Sequence, residues 1–227
     1  MLLPNLADAG AWPRGKYQGY FDLSFFSYDG QTPNKHVYGE FGVTDQITLT
    51  LDGIYQEEIG GLTGIIGLVY ALPEGTLPFQ LSIGGGVGRA LYFYEVTEDV
   101  FEFRGGRRIQ IAQTITQTIT TQNAAQLSLH LGFSTLKTWS TADLRYLTFQ
   151  STGSYLAKLD LTHGYHVSDR LNAMVQVQIG QASEFNYLNL APAIEWSFTP
   201  NIAMVLGGVY DTKGDSHAVR LGAVVRF

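Results

Sequence analysis

Two residues that could form a nucleophile and its base stand two positions apart in the chain. Ser128 and His130 occupy the same side of a segment in which polar and apolar residues alternate. A serine hydroxyl becomes a nucleophile when a histidine within hydrogen-bond reach accepts its proton and a third group orients that histidine. Because small polar residues on one strand face more often form a wall than a catalytic pair, we expect no enzyme.

His163 and His166 are the other arrangement that could support chemistry. Their spacing in HGYHVSD places them on opposite faces of a strand, which makes them a poor pair of metal ligands. His36 and His217 lie in unrelated contexts. The chain contains no cysteine, so neither a disulfide nor a thiolate metal site can form. We therefore expect no metal ion and no other cofactor.

Charged residues of both signs form the largest set with functional potential. They recur on one side of alternating segments throughout the chain: Asp22, Glu40, Asp52, His130, Asp143, Arg145, Lys158, Asp160, Glu195, Arg220 and Arg226. Only 15% of all residues are charged, against about 25% in an average soluble domain. The net charge of −6 argues against nucleic acid as a partner.

The elements that must position these residues are β-strands. In the last segment, AVRLGAVVRF, large apolar residues alternate with small or charged ones, which is the period of two of a strand. Turn signals divide the chain into twelve predicted strands. They are 16–28, 35–43, 47–58, 62–72, 77–103, 107–133, 139–150, 154–165, 169–182, 186–198, 201–211 and 216–227. The pattern predicts an all-β chain.

The length of these segments separates two kinds of all-β protein. Strands of globular domains average about 5–6 residues, whereas a tilted membrane-spanning strand needs about 9–11, and most of the predicted strands have the second length. Three tight turns, VTDQIT, VSDRLN and FTPNIA, alternate with more polar or Gly-rich connections. Short turns therefore fall on one rim and polar loops on the other. A soluble lipocalin-like barrel or sandwich is the alternative, but one chain supplies no second layer to cover so many one-sided strands.

In these features the chain resembles a bacterial outer-membrane β-barrel of porin-like type, without indicating an individual family. The resemblance implies a single closed, antiparallel, up-and-down transmembrane barrel over residues 16–227, preceded by a periplasmic segment at residues 1–15. It also implies a bacterial outer-membrane location, among lipid and lipopolysaccharide. In this class the barrel-assembly machinery recognises the terminal aromatic strand, and Val219, Leu221, Val225 and Phe227 would carry that signal. Outer-membrane phospholipases carry an H-x-S-N-G motif, which is absent here, so a lipid hydrolase is the weakest alternative.

The charged set is predicted to line the lumen, because a charge facing lipid at mid-membrane costs roughly 2–4 kcal/mol. Twelve strands lie between the roughly eight of filled barrels and the roughly 16–18 of open channels. We predict a narrow passive channel for small hydrophilic solutes. Strong ion selectivity is not expected, since six carboxylates accompany four fixed cations in the set. A filled, non-conducting barrel is the alternative.

The segment 77–133 is the strongest local anomaly. Gly105 and Gly106 form a two-residue hairpin signal within a tip that comprises Arg104, Gly105, Gly106, Arg107 and Arg108. Each arm would have about 27 residues, roughly 16 more than a bilayer needs. The hairpin is predicted either to project as an extracellular element or to fold inward as a plug. A projecting hairpin would offer a surface for a homo-oligomer, lipopolysaccharide or a partner protein.

Overall fold

The computed structural model describes residues 12–28, 33–56, 61–73, 79–104, 107–150, 152–183, 186–212 and 217–227. Side chains are described for these residues other than Tyr28 and residues 92–119. Residues 1–11 of the predicted periplasmic segment lie outside the described residues. So do Gly105 and Gly106 of the predicted hairpin tip and the side chains of its three arginines.

Twelve strands make up the described regular structure. They are β1 (Gly19–Tyr28), β2 (Asn34–Gly42), β3 (Ile47–Gln56), β4 (Gly61–Ala71), β5 (Phe79–Arg104), β6 (Arg107–Ser134), β7 (Thr138–Phe149), β8 (Tyr155–Ser168), β9 (Leu171–Ala182), β10 (Asn186–Thr199), β11 (Ile202–Asp211) and β12 (His217–Arg226). Each strand pairs antiparallel with its neighbours in sequence, and β1 pairs with β12, so the sheet is a closed barrel. The predicted all-β, twelve-stranded, closed antiparallel barrel is confirmed. No helix among the described residues is long and apolar enough to cross a membrane.

The barrel closes on the last residue of the chain. Gly19 and Phe227 exchange two backbone hydrogen bonds, with N–O distances of 2.7 and 3.0 Å. The Phe227 ring lies over Gly19, at a place where a Cβ on residue 19 would overlap it. The terminal aromatic residue therefore packs on the first strand at the seam. Whether it also acts as an assembly signal stays a prediction.

The two faces of the wall have opposite character, as the period of two requires. Large apolar side chains that stay exposed form the outer face in most strands, among them Leu49, Leu51, Ile66, Leu68, Leu129, Leu131, Ile179, Ile194, Leu206, Leu221 and Val225. Polar and charged side chains are buried on the inner face. The start of β1, the end of β12 and the short turns after β2, β8 and β10 lie at one rim, which we call the terminal rim. The opposite rim is the loop rim.

Two strand boundaries differ from the prediction by three residues. β1 begins at Gly19 rather than 16, because Tyr17 has a φ of 69° and the Gln18 amide donates to the Gly15 carbonyl, so this stretch turns. β8 continues to Ser168 rather than ending at 165. A register shift between His166 and Ser168 lets the longer strand keep pairing with β9.

β5 and β6 are the longest strands, with 26 and 28 residues. β5 pairs with β4 only as far as Tyr92, and β6 pairs with β7 only from Ala124 onward. Beyond those points the two strands pair with each other up to Arg104 and Arg107. A two-stranded ribbon thus continues from the loop rim as far as Arg104 and Arg107. Its predicted extracellular position stays a prediction.

Glycines on the inner face of β5 make room for the side chains of β4. A Cβ on Gly86 would lie 2.9 Å from Ile65 Cγ2, and a Cβ on Gly84 would lie 2.9 Å from Val69 Cγ2. A Cβ on Gly88 would overlap the backbone carbonyl of Gly64, which cannot move without breaking the ladder. In this part of the barrel the side chains that fill the interior therefore come from β4, and β5 carries glycine at these three positions.

Gly88→Ala should therefore destabilise the barrel by about 1–3 kcal/mol, the usual effect of overpacking. Gly64→Ala is the matched control, because a Cβ there would meet nothing within 4 Å. The free energy of unfolding in urea, measured on protein refolded into lipid vesicles, gives the comparison. Equal stabilities for the two variants would contradict the described packing.

Candidate functional site in the lumen

The structure places all eleven charged or ionisable residues that were predicted to line the lumen on the inner face. They are Asp22, Glu40, Asp52, His130, Asp143, Arg145, Lys158, Asp160, Glu195, Arg220 and Arg226, and each forms an ion pair or hydrogen bond with another side chain inside the barrel. Their placement follows from strand parity. Their role in a pore stays a prediction.

One cluster spans the seam between β1 and β12. Arg220 of β12 contacts Asp22 of β1 with an N–O distance of 2.6 Å, and its Nε donates to Ser24 at 3.1 Å. Ser24 in turn donates to the other Asp22 oxygen at 2.5 Å. Both oxygens of Asp22 thus accept a hydrogen bond, one from β1 and one from β12, as a buried carboxylate requires.

Two further carboxylates are held near the terminal rim. Glu195 of β10 accepts from Arg226 at 2.8 Å and from the Asn172 amide at 3.0 Å. Glu40 of β2 pairs with Arg14, which comes from the segment before β1, and accepts from the Tyr38 hydroxyl at 2.5 Å. The described part of the N-terminal segment therefore contributes a cation to the mouth of the barrel.

An ion pair between described residues reaches across the lumen. Arg145 of β7 contacts Asp52 of β3 with an N–O distance of 2.9 Å, although β4, β5 and β6 separate the two strands in the wall. The other Asp52 oxygen contacts His36 Nε2, also at 2.9 Å. The guanidinium lies 5.9 Å from the centre of the Tyr38 ring. Side chains from three strands thus meet at one level and narrow the bore.

Ser128 and His130 do form the hydrogen bond that their spacing allows, and Asp143 completes a chain of three. Ser128 Oγ lies 2.9 Å from His130 Nε2, and His130 Nδ1 lies 2.6 Å from Asp143 Oδ1. The connectivity is that of a hydrolase relay. However, all three side chains face the lumen, where no membrane lipid reaches them. The cavity beside Ser128 and His130 has a volume of about 20 Å³, which is room for one water molecule.

Neighbouring strands place like charges side by side in this region. Asp143 of β7 lies opposite Asp160 of β8, and Arg145 lies opposite Lys158. Like charges directly opposite each other destabilise a sheet. Here each charge is drawn to a different partner: Asp143 contacts His130, and Lys158 contacts Asp160 with an N–O distance of 2.9 Å.

The bases in these pairs are more exposed to the lumen than the acids. Four bases keep 16–29% of their side-chain surface accessible, while their carboxylate partners keep 3–7%. The pairs are Arg14–Glu40, Lys158–Asp160, Arg220–Asp22 and Arg226–Glu195. The Arg145–Asp52 and His130–Asp143 pairs do not follow this pattern, because the accessible fractions of base and acid are 23% and 26% in the first pair and 4% and 7% in the second. A solute inside the barrel therefore meets mainly the cationic ends of the pairs.

The sequence did not indicate several members of this network. Arg14 precedes the first strand, so no parity argument applies to it, and His36 was assigned to no cluster. Tyr38 is amphipathic and could have faced either side. The even spacing of His36 and Tyr38 from Glu40 could have indicated both residues, because it puts all three on one face of β2. Among the described residues no group of three potential metal ligands comes together.

A closed antiparallel barrel of twelve strands, with an apolar outer face and a charged inner face, is the architecture of bacterial outer-membrane β-barrels. Solved structures support this class. The chain is similar to the KdgM porin in complex with disordered oligogalacturonate, with a TM-score of 0.65 and 8% identity over 92% of this chain and 99% of that one. It is also similar to the NanC porin, with a TM-score of 0.61 and 11% identity over 90% and 98% of the two chains.

A third similar structure is the outer membrane protein Omp33 of Acinetobacter baumannii, with a TM-score of 0.52 and 12% identity over 93% of this chain and 99% of that one. Identities this low establish a shared fold alone. The outer-membrane location predicted from the sequence is the one that this fold implies. No protein-family model matches the sequence, and no curated protein matches it closely enough to count as a relative.

Asp22→Ala should destabilise the barrel by about 3 kcal/mol, because it leaves Arg220 without its buried partner at the seam. Asp169→Ala, which removes the same charge from an exposed turn, is the control and should change stability by less than about 0.5 kcal/mol. Urea unfolding in lipid vesicles measures both. A loss in Asp22→Ala no larger than in the control would show that the seam cluster contributes no stability.

Proposed function

We propose that this protein is an outer-membrane, porin-like channel through which small hydrophilic solutes diffuse passively. The observation that carries the proposal is the inner face of the closed barrel, where partly exposed charged side chains recur from the terminal rim to the cross-lumen pair. If side chains only filled the interior of the barrel, their charged groups would not need to remain accessible to solvent. The solved porins with a similar fold support a channel as the general function. The expectation that the chain is not an enzyme stays a prediction.

The narrowest level of the proposed channel is the Asp52–Arg145 pair. Its two side chains reach across from β3 and β7, and they leave a small residual cavity beside them. A constriction made of one acid and one base admits small polar solutes by size and orients their dipoles. Large or apolar solutes would be excluded at this level.

The exposed bases favour anionic solutes over cationic ones. The number of charges alone would not predict a preference for anions, because the inner-face set holds six carboxylates and four fixed cations. The carboxylates, however, are buried behind their partners, and an interaction with a buried group is paid for in desolvation of the solute. We therefore propose a modest preference for small anions such as carboxylates.

A non-conducting barrel is the second candidate, and the cross-lumen pair is the observation that favours it. If the Asp52–Arg145 pair keeps the lumen closed to solutes, the ribbon of β5 and β6 would be the functional element, with a binding or structural role. The other proposed partners, which are lipopolysaccharide, the barrel-assembly machinery and a homo-oligomer, stay predictions. A lipid hydrolase at Ser128 is disfavoured by its position inside the barrel.

Purified protein in a planar lipid bilayer should give discrete conductance steps. Arg145→Ala should raise the single-channel conductance by a factor of about two, because it shortens a side chain that spans the narrowest level. Arg89→Ala on the outer face is the matched control and should conduct like the wild type. A wild type that gives no steps would favour the non-conducting barrel. Equal conductance in Arg145→Ala and the wild type would place the constriction elsewhere.

The reversal potential in a KCl gradient should indicate a preference for chloride. Lys158→Gln combined with Arg220→Gln should shift that potential toward potassium selectivity, since both substitutions remove accessible positive charge from the lumen. Arg89→Gln changes charge only on the outer face and should leave the potential unchanged. A wild type that prefers potassium would contradict the proposed role of the exposed bases.

A further inference from the structure

The outer face of the barrel carries a furrow along β7, close to the terminal rim. Most outward positions of the wall hold large apolar side chains, but β7 places Ser140 and Ala142 there in succession. The next outward residue, Leu144, is large and ends the furrow on the side away from the rim. A local change in side-chain size, with no change in backbone pairing, is enough to create the depression.

Large side chains of neighbouring strands form the walls of this furrow. Its volume is about 540 Å³, within the range of small-molecule sites, roughly 300–1,000 Å³. The outward-facing lining residues are Phe79, Leu131 and Phe133 on one side and Leu161, His163, Val175 and Val177 on the other. All face the region where the barrel meets lipid. The shape and apolar character suit one alkyl chain.

A polar pair lies at the end of the furrow near the rim. Ser140 and His163 are cross-strand partners on β7 and β8, and Ser140 Oγ lies 2.9 Å from His163 Nδ1. Polar and ionisable residues on a lipid-facing surface are expensive and need a partner. With Nδ1 accepting from the serine hydroxyl, the N–H on Nε2 can donate to an oxygen above the furrow.

Two exposed cations lie in turns at the terminal rim, on the side to which the furrow opens. Lys137 lies in the turn between β6 and β7, and Arg170 lies in the turn between β8 and β9, beside Asp169. The His166 amide donates to the Lys137 carbonyl at 2.8 Å, which fixes one turn against the neighbouring strand. Lys137 lies about 10 Å along the strand from Ser140 at about 3.3 Å per residue. Positive charge, hydrogen-bond donors and an apolar slot thus follow one another from the rim inward.

We propose that the furrow is a binding site for one phospholipid of the periplasmic leaflet. The short-turn rim is the periplasmic side of outer-membrane barrels, so the furrow opens at the headgroup level of that leaflet. One acyl chain lies over Ser140 and Ala142, an ester oxygen accepts from His163, and the phosphate is held by Lys137. The proposal needs a membrane-embedded barrel but does not depend on conduction.

Native mass spectrometry of the delipidated full chain in detergent, titrated with dipalmitoyl phosphatidylglycerol, tests the site. The wild type should retain one lipid. Ala142→Phe should weaken binding at least about tenfold, a change of 1.4 kcal/mol, because the new ring fills the slot. Ala223→Phe is the matched control, since Ala223 is another outward-facing alanine but lies on β12. It should bind like the wild type, and heat-dependent gel mobility verifies that both variants are folded.

Two further arms test the polar end and the identity of the occupant. Lys137→Gln combined with His163→Ala should weaken binding of the phospholipid but not of hexadecanol, which lacks the phosphate and ester. Equal retention of phospholipid by the wild type and Ala142→Phe would overturn the proposal. So would a wild type that retains none. Disulfide-linked dimers of an Ala142→Cys variant in vesicles would instead assign the furrow to a second copy of the chain, and they would likewise overturn it.

Discussion

The structure depends on the closure of the sheet between β1 and β12. In a bilayer no water is present to satisfy a free strand edge, so every backbone donor and acceptor must find a partner in the sheet. The seam meets this requirement to the last residue, because the Phe227 amide and carbonyl both pair with Gly19. The Asp22–Arg220 ion pair joins the same two strands from inside. Backbone pairing, ring packing and an ion pair thus act together where the first and last strands meet.

Closure also fixes what each face of the wall can do. Once the sheet is a cylinder, alternate residues face either lipid or the lumen. A local change in side-chain size therefore changes the space on one face of the wall. On the inside, glycines in β5 allow the side chains of β4 to fill part of the bore. On the outside, Ser140 and Ala142 leave a furrow among larger neighbours. Both features arise from side-chain size alone, on a backbone ladder that continues without interruption.

Strand parity explains how much the sequence could predict. The alternation assigned all twelve strands and put residues such as Asp22 and Glu195 on the inner face, because that inference needs only neighbours in the sequence. It could not pair Asp52 with Arg145, since the strand tilt and stagger of the closed barrel decide which levels meet across the lumen. Nor could it place Arg14, which precedes the first strand. The Ser140–His163 pair was missed for a related reason, because it depends on the register between two strands.

The lumen shows why a count of charges is a poor guide to the field that a solute experiences. Carboxylates such as Glu40 and Glu195 are buried among donors from two or more segments, whereas the bases that pair with them extend toward the bore on long, flexible stems. Long cationic side chains can cover their partners in this way, while a short aspartate or glutamate remains close to the wall. The sign of the accessible charge therefore follows from side-chain length as well as from number. In four of the charged pairs of this barrel, the longer, basic member provides most of the accessible surface.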